Sequence, residues 1–477
     1  MAALCCCALF VIPALFTIFY FRSDFMSTIA AISTPEAAGG IAVIRISGEN
    51  ALSVAEKIFT PYGKKVRDMP GYTCAYGIAH EDGQRIDDCI LTVFRAPHSY
   101  TGEDVAEISC HGGIYVSRKV LRAALKNGAE NAGAGEFTKR AFLSGKLDLT
   151  QAEAVMDIIS AKGDMELKMA EELRGGAAFR KAKACSDRLM HILGSLAAWA
   201  DYPEEDIPEV EPENLVPELE SIAGELSSLI ENYDSGRILR EGISAAIVGK
   251  PNVGKSTLFN ALSGYQRSIV TDIAGTTRDL VEESVRLGDV VLRLTDTAGI
   301  HETEDIIEGI GVKMAEQQID SAELVIAVFD GGVPLSEEDR LLIKRINNKK
   351  SIAVINKSDV EQKLETKEIE SEFLRTVYLS ARENQGIEAL KEAVEDICQV
   401  RKLTESSVCA ANERQRMCIS SALGSVRSSI DAIKSGELLD AVNVLLDEAE
   451  QKLLELTGEK VTDAVIDEVF SRFCVGK

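Results

Sequence analysis

The stretch "GKPNVGKST", residues 249–257, decides the fold of the central part of the chain. It fits the pattern G-x-x-x-x-G-K-[ST], follows the apolar run "SAAIV" and opens the helical run "STLFNALSG". A strand, a glycine-containing turn and a helix in this order predict a loop whose N–H groups bind phosphate at a positive helix N-terminus. We expect Lys255 to contact the outer phosphates and Ser256 to offer its hydroxyl to Mg²⁺.

Strands and helices alternate around this loop from residue 243 to about residue 400. The runs "ISAAIVG", "VVLRLTDT", "ELVIAVFDG", "SIAVINK" and "TVYLS" are almost continuously apolar. Such runs are typical of strands that are buried on both faces of a parallel sheet. The sequence therefore predicts an α/β domain of the P-loop class over residues 243–401.

Two motifs are expected to respond to the γ-phosphate of the nucleotide. The motif "DTAG", Asp296–Gly299, ends a strand, so its aspartate can reach Mg²⁺ and its glycine can meet the γ-phosphate. The motif "TDIAGTTRD", residues 271–279, is a glycine-containing loop that offers a switch threonine, either Thr276 or Thr277.

Two other motifs indicate that the base is guanine. The motif "NKSD" ends a strand, and its Asn356 and Asp359 suit a base that carries both an exocyclic amine and a ring N–H. Adenine would leave the Asp359 carboxylate without donors, which is costly in a buried pocket. The motif "SAR", residues 380–382, follows the fifth strand and is expected to pack on the base. The predicted GTP-binding residues are Asn252, Val253, Gly254, Lys255, Ser256, Thr257, Thr271, Asp272, Ile273, Ala274, Gly275, Thr276, Thr277, Asp296, Thr297, Ala298, Gly299, Asn356, Lys357, Asp359, Ser380, Ala381 and Arg382.

The position after "DTAG" bears on how the attacking water is oriented. Ras-type switches place a glutamine there, whereas this chain has Ile300, which cannot hydrogen-bond. Another polar group must therefore act, and the acids just downstream are Glu302, Glu304, Asp305 and Glu308. Their types and spacing do not choose among them, and a solvated acidic loop is the competing interpretation.

Residues on either side of the α/β region have different patterns. Residues 26–146 alternate short β-type runs with turns and are predicted to form an α+β domain. Residues 147–242 and 402–477 show apolar residues at three- and four-residue steps. The simplest architecture is therefore a split helical domain with the α/β domain, residues 243–401, inserted into it. Residues 1–25 form an apolar extension outside this scheme.

Charge and cysteine usage narrow the class of protein. The net charge is −24, and residues 26–146 hold 14 Lys and Arg against 13 Asp and Glu, so the negative excess lies on residues 147–477. A strongly acidic body argues against broad nonspecific binding to nucleic acid, although a local basic groove is still allowed. The 11 cysteines form no C-x-x-C pair, which is typical of a reducing cytosol.

The first 25 residues allow two interpretations. They contain about 20 apolar residues, which is enough to cross a bilayer as a helix. No cation precedes this run, and Met26 opens a soluble-looking strand pattern. We expect Met26 to be the true start, the protein to be cytoplasmic and no stable membrane association; the alternative is an N-terminal membrane anchor.

Several segments taken together resemble one family. These are "TPEAAGGIAVIRISG", "SYTGEDVAEISCHGG", "GEFTKRAFLSGKLDLTQAEAVMDII", "DYPEEDI", "TDIAGTTRD" and the terminal "FCVGK". In this order, from about Met26 to Lys477, they resemble the MnmE (TrmE) family of tRNA-modification GTPases. The resemblance implies a homodimeric enzyme with an N-terminal domain that binds 5-formyl-tetrahydrofolate or a related folate, a helical domain and an inserted G domain. It also implies an FAD-dependent partner of the MnmG/GidA type, a heterotetramer with it, and formation of an aminomethyl-type group on C5 of the wobble uridine in tRNA.

The resemblance also assigns residues to roles. Arg45, Glu107, Lys146 and Lys477 match the family's folate contacts, although Arg45 or Lys146 alone would be read as an ordinary surface charge. The residues that match the family's K⁺ site are Asn252, Thr271, Ile273 and Thr276, and those that match its Mg²⁺ ligands are Ser256 and Thr277. Glu308 matches the catalytic carboxylate, which acts when two G domains meet in a K⁺-dependent manner.

The last residues, "SRFCVGK", are expected to be more than a frayed tail. Val465, Ile466, Val469, Phe470 and Phe473 share one helical face, which could hold the end of the chain against another domain. Cys474 would then lie beside the predicted folate contact Lys477, whose charge would favour the thiolate. We predict a functional thiol at Cys474; a passive cysteine at a helix end is the alternative.

A second function class competes with the enzyme. A ribosome-assembly or translation-type GTPase would use the nucleotide to switch its affinity for RNA. That class tends to need an appended basic RNA-binding domain, and this sequence shows no such domain.

Overall fold

The computed structural model describes residues 27–161, 163–201, 212–231, 233–265, 283–294, 319–346, 349–400 and 412–477. The chain forms two compact units. The first contains the described residues up to Met156 together with Leu454–Lys477, and the second contains Asp157–Leu453. The last helix, which the sequence assigned to the split helical domain, thus lies in the N-terminal unit. The domain boundaries drawn from the sequence stay a prediction, and the apolar residues 1–25 lie outside the described residues.

The first unit is built on a seven-stranded sheet. Its strands are β1 (Ile29–Ile32), β2 (Ile41–Ser47), β3 (Phe59–Pro61), β4 (Thr73–Glu81), β5 (Gln84–Phe94), β6 (Val105–His111) and β7 (Glu130–Asn131). Their spatial order is β3-β4-β5-β6-β2-β1-β7, and neighbouring strands are antiparallel except for the parallel pair β1 and β7. The register of β2 and β6 sets Arg45 opposite Glu107.

Two helices cover one face of this sheet. They are α1 (Ala51–Ile58) and α2 (Ile114–Lys126), and a short 3₁₀ turn spans Val66–Asp68. Alternate residues of the central strands, such as Ile44, Leu91 and Ile108, point into the core that these helices close. Because side chains alternate along a strand, the intervening residues Arg45 and Glu107 lie on the opposite face.

The C-terminal helix packs onto the other helices of the first unit. The C-terminal helix is α15 (Asp463–Ser471), and its neighbours are α3 (Glu136–Leu143) and α4 (Leu149–Ser160). Ile466, Phe470 and Phe473 form a cluster with Leu149 and Ala152. The Phe470 and Phe473 ring centroids are 5.1 Å apart. Three of the five residues of the predicted apolar face are therefore buried, and Val469 packs against them, whereas Val465 is half-buried outside the cluster.

The second unit combines a helical part with an α/β sheet. Its helices outside the sheet region are α5 (Asp164–Arg174), α6 (Ala177–Asp201), α7 (Pro212–Glu231), α8 (Tyr233–Glu241), α13 (Glu413–Lys434) and α14 (Leu439–Thr457). Helices from before and after the sheet pack together: Ser186 of α6 donates to Glu450 of α14 at 2.7 Å, and Lys434 of α13 contacts Glu220 of α7 at 2.9 Å. The insertion of the α/β region into a helical framework is confirmed.

The α/β region contains a six-stranded sheet. Its strands are β8 (Ile243–Val248), β9 (Glu283–Leu287), β10 (Val290–Leu294), β11 (Leu324–Asp330), β12 (Lys350–Asn356) and β13 (Arg375–Tyr378). The order is β13-β12-β11-β8-β10-β9, and all neighbours are parallel except β9 and β10. The helices are α9 (Lys255–Tyr265), α10 (Glu337–Ile346), α11 (Lys367–Glu372) and α12 (Ile387–Ile397).

Both faces of this sheet are buried, as the apolar runs predicted. Ile326 and Val354 pack toward α9 and α12, whereas Val325 and Ile355 pack toward α10 and α11. In open parallel sheets, ligands bind at the carboxyl ends of the strands. The loops after β8, β11 and β12 meet at that edge. Within the described part of the chain, no helix is both long and apolar enough to cross a membrane.

Candidate functional site

The loop between β8 and α9 has the shape that its glycines predict. Gly249 has φ +154°, Asn252 has φ +62° and Gly254 has φ +98°. A Cβ at Gly249 would overlap the carbonyl oxygen of Val328, and one at Gly254 would overlap Nδ2 of Asn356. At both positions φ is positive and another atom lies where a Cβ would be. Only glycine, which has no Cβ, can adopt this φ and fit in this space.

The lysine of the loop is held by the loop itself. Nζ of Lys255 lies 2.8 Å from the carbonyl oxygens of both Gly249 and Lys250. Burial lowers the pKa of this ammonium group, because desolvation disfavours the charged form. Ser256 and Thr257 follow in the first turn of α9, and both are exposed. The ammonium group and a hydroxyl suited to Mg²⁺ are therefore adjacent, as the motif predicts.

The asparagine of "NKSD" joins three segments that are distant in sequence. Asn356 is buried; its Nδ2 donates to the carbonyl oxygen of Val253 at 2.7 Å, and its Oδ1 accepts from the N–H of Ala381 at 3.0 Å. Lys357 donates to the carbonyl oxygen of Asn252 at 3.0 Å and pairs with Asp330 at 2.6 Å. The predicted phosphate-binding and base-binding segments thus lie together at one edge of the sheet.

The residues predicted to contact the base differ in exposure, since Asn356 is buried. Asp359 and Arg382 are exposed, while Ser380 and Ala381 are buried beneath them. A hydrogen bond from Ser380 is the main cause that lowers the pKa of the Asp359 carboxyl. A negatively charged Asp359 is the acceptor that guanine requires for its amine and ring N–H.

The remaining nucleotide-site predictions fall on residues whose structure is not described. They concern Thr271, Asp272, Ile273, Ala274, Gly275, Thr276, Thr277, Asp296, Thr297, Ala298, Gly299, Ile300, Glu302, Glu304, Asp305 and Glu308. The roles of these residues in binding Mg²⁺ and K⁺ and in orienting water stay predictions.

A second candidate site lies on the face of the N-terminal sheet opposite α1 and α2. Nε of Arg45 lies 2.8 Å from Oε1 of Glu107. The Arg45 guanidinium also lies over two aromatic rings, 5.6 Å from the centroid of Tyr100 and 5.5 Å from that of Phe137. Such cation–π contacts orient a guanidinium while its remaining N–H groups stay able to donate.

The end of the chain is fixed beside this pair. The carbonyl oxygens of Cys474, Gly476 and Lys477 accept hydrogen bonds from Gly135 N at 3.3 Å, Ser33 Oγ at 2.9 Å and Phe137 N at 3.1 Å. Val475 also forms an antiparallel bridge with Ala134. The Lys477 carbonyl therefore bonds the same residue, Phe137, whose ring lies against Arg45. Cys474 is exposed within this fixed segment.

Lys146 reaches this neighbourhood by a different route. Its Nζ donates to the carbonyl oxygen of Pro97 at 3.0 Å. Pro97 belongs to the loop that carries Tyr100, and Ser144 Oγ donates to Thr101 in the same loop at 2.7 Å. Among the described contacts, Lys146 thus meets the loop beneath Arg45 and not the Arg45–Glu107 pair itself.

Sequence reasoning gave no role to the two aromatic residues or to a buried arginine nearby. Tyr100 lies in "SYTGEDVAE" and Phe137 in "GEFTKRAF", but an aromatic residue in a motif does not show which cation it will meet. Arg140 is buried, and it pairs with Glu103 at 3.0 Å and with Glu136 at 2.9 Å. The four-residue spacing of Glu136 and Arg140 on α3 was the available signal.

Two sites with distinct chemistry are therefore present. A phosphate-binding loop at the carboxyl edge of a mainly parallel sheet, tied to "NKSD" and "SAR", defines a P-loop nucleotide-binding protein of the GTPase class. The second site joins the N-terminal sheet to the last residues of the chain.

Comparison with known proteins identifies the family. The family model for the GTP-binding protein TrmE N-terminus matches residues 28–146, and that for the MnmE helical domain matches residues 149–474. The tRNA modification GTPase MnmE of Carboxydothermus hydrogenoformans is 42% identical over 457 residues, covering 94% of this chain and 99% of that protein. The tRNA modification GTPase MnmE of Acetivibrio thermocellus is 41% identical over 456 residues, with the same coverage. The chain belongs to the MnmE family of tRNA modification GTPases, so the predicted family and enzyme class are confirmed.

One solved structure overlaps a smaller part of the chain. The G domain of the T. maritima FeoB iron transporter is 27% identical and covers 33% of this chain and 99% of that chain, with a TM-score of 0.25. A TM-score of this size supports no inference about a common arrangement.

Proposed function

We propose that this chain hydrolyses GTP and, with an FAD-dependent partner of the MnmG/GidA type, forms an aminomethyl-type group on C5 of the wobble uridine in tRNA. The carbon would come from a tetrahydrofolate one-carbon unit. The observation that carries the proposal is the fixed end of the chain: Cys474–Lys477 are hydrogen-bonded to Ser33, Gly135 and Phe137, and the Phe137 ring lies against the Arg45 guanidinium. A frayed chain terminus would not accept hydrogen bonds from other segments at three of its backbone oxygens.

The second site suits a folate. A pterin ring offers N–H donors that a carboxylate such as Glu107 can accept, and its flat face can lie against aromatic rings. Arg45 would orient Glu107 at the ring, and the carboxylates of the folate tail would be neutralised by other cations, for which Lys146 and Lys477 are the candidates. Tyr100 and Phe137 hold the Arg45 guanidinium in place and leave donors free for a ligand. A bound folate would supply the one-carbon unit.

At the nucleotide site, each residue has a proposed task. Lys255 would leave the loop carbonyls and bind the outer phosphates, and Ser256 with Thr277 would ligate Mg²⁺, which stabilises the negative charge that develops. The proposed ligands of K⁺ are Asn252, Thr271, Ile273 and Thr276. Glu308 would orient the attacking water, which Ile300 cannot do.

The assembly proposed for this cycle is a homodimer that joins the FAD-dependent partner as a heterotetramer and works on tRNA in the cytoplasm. K⁺ would favour the meeting of two G domains, which brings Glu308 into action. The rate of GTP hydrolysis in KCl and in NaCl tests this step. Equal rates in the two salts would contradict the assignment of a K⁺ site.

The tRNA reaction is tested in a strain that lacks its own enzyme of this family. Expression of this chain should restore the aminomethyl-type group, as measured by mass analysis of the wobble nucleosides, and Lys255→Ala should not restore it. Cys474→Ser should keep GTP hydrolysis but lose the modification. Unmodified nucleosides in cells that express the wild-type chain would refute the proposed function, and normal modification with Cys474→Ser would refute the role of the thiol alone.

A further inference from the structure

The second residue of the phosphate loop has a contact that the GTPase motifs do not explain. Nζ of Lys250 lies 2.6 Å from Oδ2 of Asp339 and 2.8 Å from Oγ of Ser336. The side chain of Asp339 is only 5% exposed, and that of Lys250 is 20% exposed. Ion pairs on the surface contribute little, but a buried carboxylate depends strongly on its partners. This contact therefore differs from an ordinary surface pair.

The partner of Lys250 is a rigid structure. Ser336 and Asp339 form a capping box at the start of α10: the Ser336 N–H and hydroxyl donate to Asp339 Oδ2 at 2.9 and 2.8 Å, and the Asp339 N–H donates to Ser336 Oγ at 3.3 Å. Helix α10 is in turn fixed in the core by Ile343 and Ile346. Lys250 is thus tied to a helix end that cannot shift without disturbing the sheet.

The Lys250 backbone also contacts Lys255, the lysine of the phosphate loop. The carbonyl oxygens of Gly249 and Lys250 hold Nζ of Lys255, each at 2.8 Å. The second half of the loop has separate anchors, since Asn356 holds Val253 and Lys357 holds Asn252. In the described part of the domain, the Lys250 side chain is the contact that fixes the first half of the loop to a helix.

We propose that Lys250, Asp339 and Ser336 form a clasp that positions the phosphate loop and slows the release of the nucleotide. The clasp rests on the proposed binding of GTP at this loop and extends it to residue types that the nucleotide motifs do not specify. Lys250 is a positioning residue, because it fixes the start of the loop whose backbone N–H groups are proposed to bind the phosphates. Opening of the clasp lets the segment Gly249–Lys250 move, which weakens binding of the ground-state nucleotide more than it slows the chemical step.

The clasp is tested with variants of the full chain. Lys250→Met removes the ammonium group, Asp339→Asn removes the charge of its acceptor, and Lys250→Arg keeps a cation that can still reach Asp339. Arg345→Met is the matched control, because Arg345 lies on the same helix and pairs with Asp320 at 3.0 Å, but 48% and 62% of these side chains are exposed. The dissociation rate of a fluorescent GDP, the kcat for GTP at saturation and the melting temperature are measured for each variant.

We expect Lys250→Met and Asp339→Asn each to raise the GDP dissociation rate roughly tenfold, with kcat within about threefold of wild type. The double variant should dissociate no faster than either single variant, because both break one contact. Lys250→Arg should stay within about twofold of wild type, and Arg345→Met should not change.

The results that would overturn the clasp are equally specific. They are a Lys250→Met rate within about twofold of wild type, additive effects in the double variant, or an equal change in Arg345→Met. If Lys250→Met fails to fold, Asp339→Asn and the rescue by Lys250→Arg decide the question. Wild-type protein that binds no guanine nucleotide would refute the proposed function, whereas normal binding with unchanged variants would refute the clasp alone.

Discussion

Gly476 is the residue on which the fixed end of the chain most clearly depends. Its φ is +94°, and a Cβ there would overlap the carbonyl oxygen of Ile32. Alanine at this position would be strained by the positive φ, which costs about 1–2 kcal/mol of docking free energy. It would also lose the hydrogen bond from Ser33, which costs about 1 kcal/mol more. The total of about 2–3 kcal/mol corresponds to a roughly 30- to 140-fold loss in the docking equilibrium.

Hydrogen exchange measures this equilibrium directly. The N–H groups of Gly135 and Phe137 donate to the carbonyl groups of Cys474 and Lys477, so they exchange with solvent only when the end of the chain leaves the sheet. In Gly476→Ala, the protection of these two amides should fall by the factor given above. GTP hydrolysis should be unchanged, and modification of the wobble uridine should decrease.

A matched substitution separates docking from backbone strain. Gly83 has a similar φ of +79° in the turn between β4 and β5, but a Cβ there would meet nothing within 4 Å. Gly83→Ala should therefore lower overall stability slightly and leave the amides of Gly135 and Phe137 protected. Protection in Gly476→Ala within about threefold of wild type, or an equal loss in Gly83→Ala, would refute the reasoning.

Two further outcomes follow from single side chains. Asn356→Ala removes the bonds to Val253 and Ala381 and should weaken GTP binding roughly 10- to 100-fold in a titration with fluorescent GTP; a change below about threefold would contradict the role of Asn356. The hydrogen bond from Arg122 is the main cause that lowers the pKa of Glu81 from 4.5 to about 2. A lowered carboxyl pKa stabilises the fold above about pH 4.5 and loses this effect as pH falls toward 2, so the melting temperature of Glu81→Gln should fall less steeply than that of wild type between pH 5 and 3. Parallel curves for the two proteins would show that this ion pair does not contribute to acid stability.

The parts of the structure that the sequence predicted are those governed by local pattern. Gly249 and Gly254 lie where the loop needs positive φ, and the apolar runs became buried parallel strands. Strand β9 was not predicted, because "ESVRL" mixes polar and apolar residues, as an antiparallel edge strand does. The parallel interior therefore gave a clear signal, whereas the edge did not.

Contacts between distant residues could not be read from the sequence. Lys250 and Ser336 are 86 positions apart, and neither residue type predicts the other. In the same way, Tyr100 and Phe137 meet the Arg45 guanidinium only because β2, the loop before β6 and α3 come together in the fold. The family resemblance supplied Arg45 and Glu107, but the residues that hold Arg45 in place required the three-dimensional arrangement.

The two candidate sites share one physical device, and this has a consequence for mutation. In each site, the residues proposed to bind ligand or to react lie on a short segment that contains a glycine. Because this glycine has no Cβ, it can pack closely against a carbonyl group of another segment, that of Val328 for Gly249 and that of Ile32 for Gly476. The contacts of each glycine lie within its own compact unit. Gly249→Ala should therefore abolish GTP binding and leave the amide of Phe137 protected, whereas Gly476→Ala should expose that amide and leave GTP binding intact. Loss of both properties in either variant would mean that the sites are coupled in folding, and the separation argued from their local contacts would be wrong.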